Sequence, residues 1–124
     1  MPILVKEGKK VYNAIQAGRR AAKTNGRVFW SGGDDVMNAA TTYAKNTGQT
    51  TLGMTRAGQN LQNLITSKNI PWSEARPMWA RLSTVYAKGT KGSAHFFGAE
   101  NAGSIWIQFE KPILINNGVK IIPH

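Results

Sequence analysis

The chain has 124 residues, 41% hydrophobic and 18% charged, a balance that excludes disordered and fibrous classes and sets the expectation of one domain over residues 1–124. With no cysteine, disulfides and thiolate chemistry are excluded, and no apolar run comes near the roughly 20 residues that span a bilayer. Sixteen Lys and Arg against six Asp and Glu leave a net charge of +10, a field that draws anions such as nucleic acid, phosphorylated small molecules or an acidic protein.

The first predicted element is an amphipathic helix over Glu7 to Lys23, with Val11, Ala14, Ile15, Gly18, Ala21 and Ala22 on one side and Asn25-Gly26 as its stop. The apolar part of the opening "MPILVKEGKK" is too short for a secretory signal. The positive pairs Lys9-Lys10 and Arg19-Arg20 are scattered rather than blocked, which argues against a nucleic-acid tail. Arg27 to Trp30 reads as a short strand, and Asp34 to Asn46 as a helix capped by Asp34 and closed at Gly48.

"QTTL", Gln49 to Leu52, is β-prone. A third helix then starts at the Thr55 cap, with Leu61, Leu64 and Ile65 facing inward. After a break at Asn69 to Pro71, a fourth helix over Ser73 to Gly89 is expected to bury Met78, Trp79, Leu82, Val85 and Tyr86, with Pro77 in its first turn. "SAHFFG", "SIWIQFE" and "GVKIIP" read as three strands, the second with Ile105, Ile107 and Phe109 opposite Trp106, Gln108 and Glu110. This order of elements predicts an α+β fold, or a loosely wound α/β one, in which a helical N-terminal half packs on a small C-terminal sheet.

Two histidines and no cysteine leave no room for a typical zinc site, so no metal is expected; His95 reads as a structural histidine within a strand, and His124 stands last in the sequence. Neither a Walker A loop nor GxGxxG occurs. Glu110 follows an apolar run on the face of Trp106, where a carboxylate beside an indole could hold sugar hydroxyls and oppose positive charge on a sugar carbon, although its position alone favours a strand-end glutamate paired with Lys111 or another surface base. Trp30 stands at the Gly32-Gly33 turn, and Trp79 shares a helical face with Ser83 four residues on. These residues describe an aromatic, hydroxyl and carboxylate pocket suited to a heteroaromatic ring on a sugar.

"FWSG" (Phe29 to Gly32), "TLGMT" (Thr51 to Thr55), "MWARLSTVYA" (Met78 to Ala87) and "WIQFEKPIL" (Trp106 to Leu114) together resemble, in order and approximate spacing, the ADP-ribosyl cyclase family, which includes animal NAD glycohydrolases. They are similar also to bacterial toxin domains that end contact-dependent inhibition or Rhs-type proteins. The likeness covers about Arg27 to Ile122. It implies Glu110 as the catalytic carboxylate, Trp30 and Trp79 flanking the nicotinamide, Ser31 and Ser83 touching phosphate or ribose, and Leu52 and Trp106 completing the substrate contacts. An ungapped alignment begun at Gly103-Ser104 puts Trp106 in the place of the glutamate instead.

Gly53 stands where the family usually has a second glutamate, which bears on whether the intermediate meets water or cyclises. The resemblance further implies NAD as substrate rather than cofactor, and delivery into the cytoplasm of target bacteria as part of a larger secreted or surface protein. It also implies an acidic immunity protein as neutralising partner, with no membrane segment. A cationic toxin ribonuclease and a non-catalytic binding module are the alternatives.

Overall fold

A computed structural model describes residues 26–124, so the helix expected over Glu7 to Lys23 lies outside the described residues. The fold is mixed α and β, with four helices and a small three-stranded sheet among the described residues. Strand β1 is Arg27–Ser31, β2 Ser93–Gly98 and β3 Lys120–Pro123, in the order β1-β2-β3. All pairings are parallel, with Arg27 opposite Ala94 and Phe96 opposite Pro123. The sheet thus draws its first strand from before the helices, nearer the loosely wound form of the expected fold.

Between β1 and β2 come helix α1 (Asp34–Thr47), a 3-10 turn (Leu52–Met54), α2 (Arg56–Lys68) and α3 (Trp72–Lys88). Helix α1 starts one residue after an uncapping Gly33, not at an Asp34 cap, and ends at Gly48 in the left-handed region as expected. "QTTL" forms no strand. The Thr50 carbonyl accepts one bond from Val28 N–H, and Leu52 opens the 3-10 turn. Thr55 caps α2 through its hydroxyl, which accepts from Gly58 N–H at 3.0 Å.

Several expected burials are corrected. Leu61 and Ile65 are only half-buried and Leu64 is exposed, because α2 packs through Gly58, where a Cβ would meet the Leu52 carbonyl. In α3 the inward residues are Ala75, Ala80, Ser83, Tyr86 and Ala87, small ones that let the helix lie close, while Met78 and Val85 face outward. Pro77 is the sixth residue of α3, in the second turn, where its missing N–H leaves a bond unmade.

The largest departure is at "SIWIQFE", which is helical. Ser104 starts it, its hydroxyl accepting from Ile107 N–H at 3.1 Å. Trp106–Glu110 then winds as a π turn that runs into α4, Lys111–Asn116. Pro112 supplies the reason: it offers no N–H to the carbonyl four residues back and its ring crowds that carbonyl, and a widened turn relieves both.

Strand alternation divides the core. On one face Phe29, Ala94 and Phe96 meet Tyr86 and Ala87 of α3, with Trp106 and Leu114 from the π turn and α4. On the other, Val28 meets Ala40 and Ala44 of α1, with Trp30, Tyr43, Met54 and Phe97 packed around them.

Candidate active site around Glu110

Trp106, Glu110 and Leu114 are the buried residues of the continuous helical run from the π turn into α4, spaced four apart and so on one inward face. A carboxyl, 7% exposed, therefore sits where the pattern calls for an apolar side chain. Such a placement costs stability, and buried groups of this kind concentrate at functional sites. Single π turns do so as well.

Helix α3 supplies the opposite wall. It runs back along the sheet: near its start Arg76 donates to the Gly103 carbonyl at 2.8 Å, and near its end the Tyr86 carbonyl accepts from Arg27 at 2.8 Å. Ser83 lies between, buried, and hydrogen-bonds Glu110. Burial pushes the Glu110 carboxyl up to about 8, and the Ser83 hydrogen bond pulls the other way. One turn on, burial also raises the Tyr86 phenol above its usual range, with Glu110 adding to the rise and Thr50 and Arg27 opposing it. The Tyr86 hydroxyl donates to the Thr50 carbonyl at 2.7 Å.

The alternative reading of Glu110 as a partner of Lys111 does not hold. Lys111 Nζ sits 2.6 Å from Glu100 Oε2, and the Trp106 indole N–H donates to the same oxygen at 3.0 Å. Those two donors, Lys111 first, hold the Glu100 carboxyl below its ordinary range. They also tie the start of α4 to the loop after β2.

The structure brings together some expected site residues and separates others. Ser83 and Glu110 touch, and Trp79, half-buried, stands one helical turn before Ser83 on the same side of α3. Leu52 packs against the Phe29 cluster. Ser31 is buried at the end of β1, on the Phe29 side by alternation, and its carbonyl accepts from Ala99 N–H. Gly98 makes that approach, since a Cβ there would meet the Ser31 carbonyl.

Two expectations are corrected. Trp30 projects to the α1 side of the sheet, away from Glu110, because it alternates with Phe29. Trp106 is 1% exposed, stacked on Phe96 at 4.2 Å and tilted against Phe29 at 5.6 Å, so neither face is left for a ligand. Gly53, in the position of the family's second glutamate, is exposed.

Sequence reasoning missed Tyr86 as a neighbour of Glu110 and a cluster on the α1 side where His95 Nδ1 lies 2.8 Å from His124 Nε2 and 3.3 Å from the Tyr43 hydroxyl. The signal for the first was the spacing Trp79, Ser83, Tyr86; the second depended on parallel strand register. Among the described residues there is no group of three or more His, Cys, Asp or Glu fit to hold a metal, and no helix long and apolar enough to cross a membrane. An open cleft of about 400 Å³ lies elsewhere, between the end of α3 and the starts of β2 and β3, lined by Lys88, Thr90, Lys91, Gly92 and Asn117 to Val119.

Comparison with protein-family models, with curated proteins and with solved structures finds no match.

Proposed function

We propose that this protein is an NAD glycohydrolase whose catalytic carboxylate is Glu110. The observation that carries the reading is a buried glutamate, set in an apolar stripe at a π turn, hydrogen-bonded by Ser83 and matching the late glutamate of the resembled family. Nicotinamide leaves as a neutral pyridine, taking the electron pair of the ribosyl C–N bond, so no general acid is needed. What the reaction requires is an anion against the oxocarbenium-like carbon, with water then adding and losing a proton.

A carboxyl that keeps its proton to about pH 8 meets this need through its substrate. The pyridinium of NAD is itself a cation, and an opposite charge alongside favours the carboxylate. Trp79 is the ring that would flank the base, Ser83 and Ser31 the hydroxyls toward ribose or phosphate, and Leu52 an apolar wall. Trp106 supports the turn that carries Glu110, and Trp30 is left out of the stacking role. NAD is substrate here and no cofactor is invoked.

In this reading the chain is the toxic domain of a larger secreted or surface protein, delivered into the cytoplasm of target bacteria. An acidic immunity protein suits its +10 charge. The test is loss of NAD and release of nicotinamide by purified protein, with Glu110→Gln and Trp79→Ala as controls. A cationic ribonuclease draws on the same charge, but its acid and base must flank a phosphate, and the 2.8 Å contact of His95 with His124 leaves no gap for one. RNA cleavage that survives Glu110→Gln, with no NAD consumed, would reverse the choice.

A further inference from the structure

At the edge where the parallel strands begin, two loops return the chain to the sheet: one from α3 into β2, the other from α4 into β3. They face each other across the cleft of about 400 Å³, with Lys88 and Lys91 on one wall and Asn117 on the other. The Lys120 N–H donates to the Gly92 carbonyl at 3.3 Å and joins the two loops. Acidic side chains lie elsewhere. Asp34 and Asp35 follow the end of β1, Glu100 follows the end of β2, Glu74 stands at the far start of α3, and Glu110 is buried. Among the described residues the one ion pair joins Lys111 to Glu100, so both cleft lysines, which are exposed, keep their charge uncompensated.

A lysine in a last helical turn ordinarily answers the negative end of its helix. Here the closing carbonyls of α3 are already taken: Val85 accepts from Gly89 N–H, Ala87 from Thr90 N–H, and Tyr86 from both the Thr90 hydroxyl and Arg27. Lys91 stands beyond the helix altogether. We infer that the cleft binds a compact phosphate-bearing small molecule through Lys88, Lys91 and the Asn117 amide. Its volume falls in the range of small-molecule sites. Its charged donors are ammonium groups, which act on phosphate as point charges, and it holds no arginine fork of the kind that reads a planar carboxylate. No aromatic side chain lines it, so the ligand is bound by its phosphate rather than by a stacked base.

This holds whether or not the protein acts on NAD, because the cleft shares no residue with the Glu110 cluster. The test is calorimetric titration of the full chain with inorganic pyrophosphate at low ionic strength. The expected result is saturable uptake of one pyrophosphate per chain, retained in Glu110→Gln. In the double variant Lys88→Gln, Lys91→Gln, two exposed changes that leave the core intact, affinity drops at least about tenfold, since two charge-assisted hydrogen bonds are lost. Arg56→Gln with Lys68→Gln removes the same two charges from α2, and there the affinity should stay within about twofold of the wild type. Equal losses in the two double variants would assign the binding to the overall charge and overturn the site. So would the absence of saturable uptake, its loss in Glu110→Gln, or malonate binding as tightly as pyrophosphate.

Discussion

Glu110 is a side chain whose environment and chemistry are opposed, and that opposition is measurable. Its carboxyl stays protonated in the fold to about pH 8 but ionises near 4.5 when the chain unfolds. Stability is therefore full below about pH 4.5, falls as pH rises toward 8 and levels off above it. Glu110→Gln, which keeps the shape without the charge, should match the wild type near pH 4.5 and exceed it above pH 8 by a few kcal/mol. That figure follows from about 1.4 kcal/mol for each tenfold change in proton affinity. Urea unfolding of both proteins at the two ends of the range checks this, and equal stability at high pH would contradict it. Ser83→Ala removes the one contact that favours the carboxylate, so the midpoint of the pH–activity curve should move to higher pH. An unmoved midpoint would mean that Ser83 does not set the acid's ionisation. Glu110 and Ser83 were legible in the sequence, through the resembled blocks and through the four-residue spacing of Trp79 and Ser83. The environment of Glu110 was not, because nothing local distinguishes a buried acid from one paired with the next lysine.

At the scale of elements, the π turn aims the carboxyl, and Pro112 explains why the turn is there. Pro112→Ala restores an N–H and removes the ring, so an ordinary α-helix can form through Gln108 to Leu114. Closing the turn rotates Glu110 relative to Ser83. The expected outcome is unchanged or higher thermal stability with NAD turnover lowered at least about tenfold, since catalysis is more sensitive than folding to such displacements. Retained turnover would show that the widened turn is incidental. The sequence read correctly where a local signal decides: the Thr55 cap, the Gly48 stop, and the strands at Arg27, Ser93 and Lys120. It misled at "SIWIQFE", where strict alternation fits a strand while the winning signals were the Ser104 cap and Pro112. That error also hid the sides of the site. Alternation placed Trp30 opposite Phe29, but only the helical run through Trp106, Glu110 and Leu114 reveals that the acid belongs to the Phe29 side.

For the whole molecule, a net charge of +10 acts before contact on a substrate that carries a pyrophosphate and a net negative charge, as NAD does. Raising ionic strength shortens the reach of that field to a few ångströms, so kcat/KM for NAD should fall with added salt while kcat changes little. A salt-independent kcat/KM would assign the charge to another partner. The parallel sheet partitions the molecule, with the Glu110 cluster on one side and the two histidines on the other, so each can be altered without the other. The measurement that bears most directly on the proposed activity is nicotinamide release from NAD by wild type and Glu110→Gln between about pH 6 and pH 10. The account predicts wild-type kcat/KM rising with pH through a midpoint near 8, the ionisation of the buried carboxyl, and Glu110→Gln slower by at least about 100-fold on the plateau above that midpoint, with the gap narrowing as pH falls below it. Nicotinamide release at equal rates by the two proteins, or none by the wild type, would contradict it.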